Sequence, residues 1–272
     1  MALKLMFITN NPHVAKIAAD AGADRLFVDM EVLGKASRQG GLNTVQSHHV
    51  PADIAVLREA VGPDVEIMAR TDPMNPGLGS QIEASIQNGA DVIMLPMWKT
   101  ADDLRRFVDM VAGRAVTMPL LETAEAVENL DQALTVPGID QMHIGLNDLH
   151  LAYHRKFMFE LLSNGTVEML CRRIGEAGIP YGFGGVGRPG CGTLPAELIL
   201  GEHARLKSSF VILSRSFCNM AELSDYSEIK TKFQEGIRDI RMVERACASW
   251  SEEQFEENRL RVVRCVEQII GA

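Results

Sequence analysis

The sequence has 272 residues, 46% of them hydrophobic, and a formal net charge of −9 at pH 7. The acidic balance argues against nucleic acid or an anionic membrane as the main partner, and no apolar run reaches the roughly 18 residues of a membrane-spanning helix. Because the five cysteines form no CxxC pair and no basic, apolar leader opens the sequence, we expect a cytoplasmic protein with reduced thiols.

Eight short apolar runs, many of them rich in methionine or β-branched residues, alternate with longer amphipathic stretches. Continuous apolar runs are typical of parallel strands that are covered on both faces. The predicted strands are 4–8, 26–30, 65–70, 92–96, 116–121, 141–145, 181–185 and 210–214. The predicted helices are about 12–21, 51–61, 77–88, 101–113, 124–135, 166–177 and 195–206.

A weak repeat marks the joints between these helices and strands. Residues 22–24 and 89–91 are Gly-Ala-Asp, residues 138–140 are Gly-Ile-Asp, and residues 178–180 are Gly-Ile-Pro. Glycine suits the left-handed residue that ends many helices. Since no GxGxxG run follows the first strand, the repeated units favour a closed (β/α)8 TIM barrel over an open doubly wound sheet.

The last part of the chain predicts extra C-terminal helices on a single barrel domain, 1–272. Two apolar stripes lie there, separated by a capping box at Ser251 and Gln254. They comprise Ile229, Phe233, Ile237 and Ile240, then Phe255, Val262, Val266 and Ile269. A barrel needs only one of the two helices as its eighth, so the extension at 220–272 is predicted either to contact other subunits or to pack on its own barrel.

Charged residues collect where the predicted strands end, which is where barrel enzymes carry their chemistry. They are Asp29, Glu31, Arg70, Glu122, Asp148, Arg188 and Arg215. So many carboxylates cannot all stay ionised at one mouth without a cation, and Mg²⁺ or Mn²⁺ prefers oxygen ligands. Glu122 and Asp148 form the natural pair, and Arg70 could bind a substrate carboxylate or an enolate. The two acids could equally be loop caps, and the pattern alone leaves that open.

Three ordered runs carry a resemblance to a known family. They are 121–130 (LETAEAVENL), 136–140 (VPGID) and 143–149 (HIGLNDL). Together they resemble the HpcH/HpaI aldolase and citrate lyase family, to which the stretches 27–31 and 89–97 are also similar. The resemblance covers about residues 22–215.

The resemblance implies a divalent-metal-dependent aldolase that cleaves or forms a 2-oxo-3-deoxy hydroxy acid through a metal-bound pyruvate enolate. Glu122 and Asp148 would be the ligands of Mg²⁺ or Mn²⁺, or else of Co²⁺ or Zn²⁺. Arg70 would contact the oxoacid and stabilise the enolate, while Gly145, Asn147 and Asp148 would hold its carboxylate. An aldehyde would be the second substrate. The family is commonly trimeric or hexameric with an exchanged last helix, so a homotrimer or homohexamer is expected.

Two positions depart from the pyruvate aldolases of that family. Val32 occupies the place of their proton-transferring histidine, and Leu120 the place of a glutamine two residues before the metal glutamate. The general base is therefore open. Imidazole has a suitable pKa, and we predict His49 as the base, with His48 as the next choice. Both could also be exposed loop histidines.

Two other functions remain open at this point. The citrate lyase branch also lacks the histidine, so a citrate-lyase-like acyl-CoA lyase is the first alternative. A noncatalytic barrel subunit is the second, and it predicts that Glu122→Ala changes no turnover.

Overall fold

The computed structural model describes residues 2–34, 47, 49–214, 217–219 and 225–271. Its strands are β1 (Lys4–Ile8), β2 (Arg25–Asp29), β3 (Glu66–Arg70), β4 (Val92–Leu95), β5 (Val116–Leu121), β6 (Met142–Ile144), β7 (Tyr181–Val186) and β8 (Phe210–Leu213). Each strand pairs in parallel with the next, and β8 returns to β1. The predicted closed (β/α)8 barrel is confirmed.

Helices follow the strands around the outside of the barrel. In the described ranges they are α1 (Pro12–Ala21), α2 (Pro51–Val61), α3 (Leu78–Gln87), α4 (Ala101–Val111), α5 (Ala124–Glu128), α6 (Leu130–Ala133), α7 (Leu146–Ala152), α8 (Glu160–Ser163), α9 (Thr166–Glu176), α10 (Ala196–Arg205), α11 (Tyr226–Cys247) and α12 (Glu252–Gly271). None of these described helices has the length and apolar character needed to cross a membrane.

The helices differ from the predicted ones on either side of β6. The helix predicted at 124–135 is divided at Asn129, whose side-chain amide donates to the carbonyl oxygens of Glu125 (2.9 Å) and Lys99 (3.1 Å). Such local bonds compete with the helix's own hydrogen bonds. Helices α7 and α8 are not among the helices predicted from the sequence, where the stretch from Gly145 marks only the end of a strand and the residues after it.

Inward-pointing side chains fill the barrel, since alternate residues of each strand face its axis. They form a buried cluster separate from the larger one beneath the helices. Its buried members are Met6, Phe27, Met68, Val92, Met94, Met118, Leu120 and Phe210. Methionine adapts to irregular gaps, so these residues make a packed floor below the C-terminal ends of the strands.

The repeated joints have a shared structure at the N-terminal end of the barrel. In the three joints that carry an aspartate, an oxygen of that side chain accepts a hydrogen bond from the backbone N–H of the second residue of the strand before the joint. The pairs are Asp24 with Leu5 (2.8 Å), Asp91 with Ile67 (2.7 Å) and Asp140 with Thr117 (2.8 Å). The aspartates of the repeat thus tie each helix-to-strand joint to the neighbouring strand.

The two long C-terminal helices pack on their own barrel. α11 lies beside α1 and α10, and α12 lies against α10. The buried side chain of Asn258 on α12 donates to the carbonyl oxygen of Leu198 (3.1 Å) and to Glu202 Oε1 (2.9 Å). A Cβ on Gly201 would lie 2.6 Å from Asn258 Nδ2, so a glycine is needed for this approach. Contacts of the same segment with other subunits stay a prediction.

Candidate active site

Arg70 and Asp29 lie side by side at the C-terminal ends of β3 and β2, where the strand register pairs them. Arg70 donates from Nε to Asp29 Oδ1 (2.9 Å) and from Nη2 to Asp29 Oδ2 (2.8 Å). Its guanidinium also lies over the ring of Phe27, 5.4 Å from the centroid. The bidentate salt bridge and the contact with the Phe27 ring together fix the plane of the guanidinium.

A second carboxylate, that of Glu31, approaches the same arginine. Glu31 is buried, and its Oε2 lies 3.5 Å from Arg70 Nε. Burial by itself would lower the pKa of Arg70, but Asp29, then Glu31 and then Glu122, raise it above its usual value. Arg70 therefore keeps its charge in a protein interior where an isolated cation would be costly.

Glu122 lies at the end of β5 and is only 3% exposed. Its Oε1 accepts a hydrogen bond from the backbone N–H of Met97 at 3.1 Å. Met97 follows β4 with a left-handed φ of 54°, which is uncommon for a residue other than glycine. The strained turn after β4 thus directs an amide at the Glu122 carboxylate.

The carboxyl group of Glu122 has a pKa raised well above its ordinary value of 4.5. Burial is the main cause and repulsion from Asp148 the second, with a smaller contribution from Glu31. The charge of Arg70 opposes these effects without overcoming them. A further positive charge brought near Glu122 would lower this pKa again.

Gly145 provides the space that the Glu122 side chain occupies. A Cβ at Gly145 would lie 2.8 Å from Glu122 Oε2 and 2.9 Å from Glu122 Cβ. Gly145 also precedes α7, which places Asn147 and Asp148, both half-buried, in the first helical turn. The predicted residues Gly145, Asn147 and Asp148 thus belong to the same end of the barrel as Glu122.

The donor set at this end fits a hard divalent cation. The oxygen donors are carboxylates, which Mg²⁺ and Mn²⁺ prefer, and Glu122 and Asp148 lie close enough for their repulsion to raise the pKa of Glu122. Within the described ranges, no group of three or more His, Cys, Asp and Glu side chains is arranged to hold a metal ion. Glu122 and Asp148 would be two of the ligands of such an ion.

His49, the predicted general base, lies next to the site, and its Nδ1 is already in a hydrogen bond. The side chain is half-buried, and its Nδ1 accepts a hydrogen bond from the backbone N–H of Asp29 at 3.0 Å. A neutral imidazole that accepts at Nδ1 carries its proton on Nε2, so His49 would have to give up this contact to take a proton at Nδ1. His48 lies outside the described residues, as does Arg215.

The two positions that depart from the pyruvate aldolases lie in contrasting surroundings. Leu120 is buried in the barrel, and its Cδ1 lies 3.2 Å from the position of a Cβ at Gly145. Val32 is 58% exposed on the segment after β2. A feature missed by the sequence analysis is Asp72, whose carboxylate binds the backbone of that segment. Its only signal was an acidic residue two positions after the arginine that ends β3.

One family model matches more than half of the chain. The model of the HpcH/HpaI aldolase/citrate lyase family matches residues 4–156. A solved HpcH/HpaI aldolase/citrate lyase family protein from Burkholderia cenocepacia J2315 superposes with a TM-score of 0.63 at 15% identity, over 81% of this chain and 91% of that one. No curated protein matches the chain in sequence.

Two other solved structures share the fold. The HpcH/HpaI aldolase from Desulfitobacterium hafniense DCB-2 gives a TM-score of 0.60 at 17% identity, over 88% of this chain and 93% of that one. The citrate synthase SbnG gives a TM-score of 0.62 at 15% identity, over 86% of this chain and 94% of that one.

Proposed function

The chain belongs to the HpcH/HpaI aldolase/citrate lyase family, and from this membership we propose that it is a divalent-metal-dependent carbon–carbon lyase acting on a 2-oxoacid. Membership supports an enzyme of the aldolase and lyase class. The proposed reaction is cleavage or formation of a 2-oxo-3-deoxy hydroxy acid, with pyruvate as one partner and an aldehyde as the other.

One observation carries the proposal: the Glu122 carboxylate is almost fully buried at the C-terminal end of the barrel, where Asp148 lies close enough to repel its charge. Keeping two neighbouring carboxylates ionised in a buried site costs stability unless a positive charge compensates them. A cation between the two carboxylates would remove the repulsion. Glu122 and Asp148 would hold the metal, which when bound would act as a Lewis acid on a keto oxygen.

The protein's own residues would bind and orient the oxoacid. Arg70, charged and fixed by Asp29, would donate to an oxygen that gains negative charge during carbon–carbon bond cleavage. The backbone N–H groups of Asn147 and Asp148 lie in the first turn of α7, and by the family resemblance they would bind the substrate carboxylate. The general base remains His49 by prediction, on condition that it releases the Asp29 amide.

A citrate-lyase-like acyl-CoA lyase is the alternative that one observation favours. Val32 presents an exposed aliphatic side chain where the pyruvate aldolases carry a histidine base. An acyl-CoA lyase without that histidine would use the same metal and arginine on a different substrate.

The decisive experiment measures pyruvate release from a set of 2-oxo-3-deoxy hydroxy acids with Mg²⁺, with Mn²⁺ and with EDTA, and in parallel tests acyl-CoA thioesters. We expect metal-dependent release of pyruvate that Glu122→Gln abolishes. Glu125→Gln is the matched control, since Glu125 is an exposed carboxylate paired with Lys99 at 2.6 Å. Turnover of thioesters alone would favour the alternative, and full activity of Glu122→Gln would contradict the role of Glu122 as a metal ligand. No turnover of any of these substrates by the wild-type protein would favour a noncatalytic barrel.

We also propose that the chains assemble as homotrimers or homohexamers through the segment 220–272. Sedimentation velocity of the whole protein tests this, and a monomer at micromolar concentration would contradict it.

A further inference from the structure

The segment that follows β2 changes from the protein interior to the surface within one residue. Glu31 is 2% exposed, whereas Val32 and Leu33 are 58% and 49% exposed. Aliphatic side chains on the surface bring no burial energy that would fix the chain at this point. Something other than packing must therefore determine where the backbone next to Glu31 lies.

The carboxylate of Asp72 provides that fixation. Its Oδ1 accepts hydrogen bonds from the backbone N–H groups of both Val32 and Leu33, each at 2.8 Å. Hydrogen bonds to an ionised acceptor are shorter and stronger than neutral ones. We name this arrangement of Asp72 with the amides of Val32 and Leu33 the Asp72 clasp.

Asp72 is itself held by the scaffold after β3. Its backbone N–H donates to Gln81 Oε1 on α3 at 2.8 Å. The preceding residue, Thr71, is buried and donates from its backbone N–H to the carbonyl oxygen of Met94 at 3.1 Å. The clasp therefore connects the segment after β2 to two fixed elements rather than to another loop.

The clasp completes a set of contacts around Glu31. On one side, the backbone N–H of Met30 donates to the carbonyl oxygen of Arg70 at 3.0 Å, and the N–H of Glu31 donates to Asp29 Oδ1 at 3.3 Å. On the other side lie the two bonds to Asp72. With both sides held, the Glu31 carboxylate stays 3.5 Å from Arg70.

We propose that Asp72 is a positioning residue that holds Glu31 against Arg70 and sets the place of the side chain at position 32 at the mouth of the barrel. Asp72 acts through the backbone, and nothing in the proposal requires it to touch the substrate. The kinetic part of the proposal rests on the proposed lyase function, whereas the anchoring part does not.

The test compares Asp72→Ala with Asp72→Asn, which keeps an oxygen acceptor at the same position. Hydrogen–deuterium exchange of the peptide spanning residues 30–34 measures the anchoring directly. We expect Asp72→Ala to speed exchange there by about 10-fold or more through local opening, and Asp72→Asn to restore most of the protection. Metal-dependent kcat/KM should fall by about 10–100-fold in Asp72→Ala because misplaced catalytic groups lose rate steeply, with substantial rescue in Asp72→Asn.

Two further variants serve as a graded test and as a control. Gln81→Met removes the acceptor of the Asp72 amide while leaving the carboxylate, and it should change exchange and kcat/KM in the same direction by a smaller factor. Asp140→Ala removes a comparable hydrogen bond between a carboxylate and a backbone N–H at the other end of the barrel. It should change neither the hydrogen exchange of residues 30–34 nor kcat/KM.

Unchanged exchange in Asp72→Ala would overturn the clasp. Faster exchange with unchanged kinetics would overturn the positioning role. If the wild-type protein releases no pyruvate with any metal, the lyase proposal fails, and the exchange data still decide whether Asp72 anchors the segment.

Discussion

The two ends of the barrel use acidic side chains in opposite ways. At the N-terminal end, Asp24, Asp91 and Asp140 each accept a backbone N–H from the neighbouring strand, and the Asp91 side chain is still 45% exposed. At the C-terminal end, Glu122 is buried close enough to Asp148 to be repelled by it. The first group of carboxylates accepts backbone N–H groups of the fold, whereas Glu122 and Asp148 repel each other.

Under the proposed function, this difference separates carboxylates that serve stability from carboxylates that would serve chemistry. Acids that are paired with amides while partly in water stabilise the joints at little desolvation cost. Buried acids that repel each other cost stability, and they persist where a ligand or a reaction uses them. Substitutions at the two ends should therefore separate activity from stability.

The largest effect is expected for Glu122→Gln, which keeps the shape of the side chain but removes its charge. We expect kcat/KM for pyruvate release to fall by about 10³-fold or more, because the Lewis acid would lose one of its two anionic ligands. Thermal stability of the metal-free protein should not fall, since a buried acid that favours protonation is replaced by a neutral group. A loss of less than 10-fold would show that the Glu122 charge is dispensable.

Arg70→Lys should have the next largest effect. Lysine keeps the charge but cannot form the bidentate salt bridge with Asp29, so kcat/KM should fall by about 10²-fold. The matched variant is Arg58→Lys at the N-terminal end, where Arg58 donates to the carbonyl oxygens of Gly62 and Val65, each at 2.8 Å. That variant should lower the melting temperature and leave kcat intact. Equal kinetic losses in the two variants would remove the distinction between the ends.

Local sequence patterns predict much of this contrast between the two ends of the barrel. The apolar runs and the recurring Gly-x-Asp joints predict the barrel, and the strand-end rule brings Arg70, Glu122 and Asp148 to one end. The Asp29–Arg70 pair follows only from the strand register, which requires the closed sheet. The Met97 turn and the Asp72 clasp depend on single backbone conformations and on contacts between distant segments, and no local pattern encodes them.

Metal binding at the C-terminal end should depend on pH, and this effect is expected to be smaller than those of the two substitutions above. The folded-state pKa of Glu122 is raised above its ordinary value of 4.5, so protonation stabilises the folded metal-free protein at low pH. That stability is lost as pH rises from about 4.5 through the folded-state pKa. A cation competes with the proton, so its stabilising effect should grow over the same range.

Thermal unfolding with and without Mn²⁺ between about pH 5 and pH 8 measures this growth; saturation at about 100 times Kd would contribute about 2.7 kcal/mol. The shift should be small at pH 5 and largest at pH 8. In Glu122→Gln it should be small at every pH. A metal-induced shift that is the same at pH 5 and pH 8 would contradict the assignment of Glu122 as a ligand.

The smallest effect is expected for Asp91→Ala at the N-terminal end. The variant removes one bond to the Ile67 amide and an ion pair with Arg58, and because the side chain is partly in water the loss should be only about 1 kcal/mol of unfolding free energy. Urea denaturation measures it, and kcat per folded molecule should match the wild type. A lower kcat in Asp91→Ala, despite so small a loss of stability, would mean that the N-terminal joints influence catalysis through the strands. The two ends of the barrel would then not have separate roles.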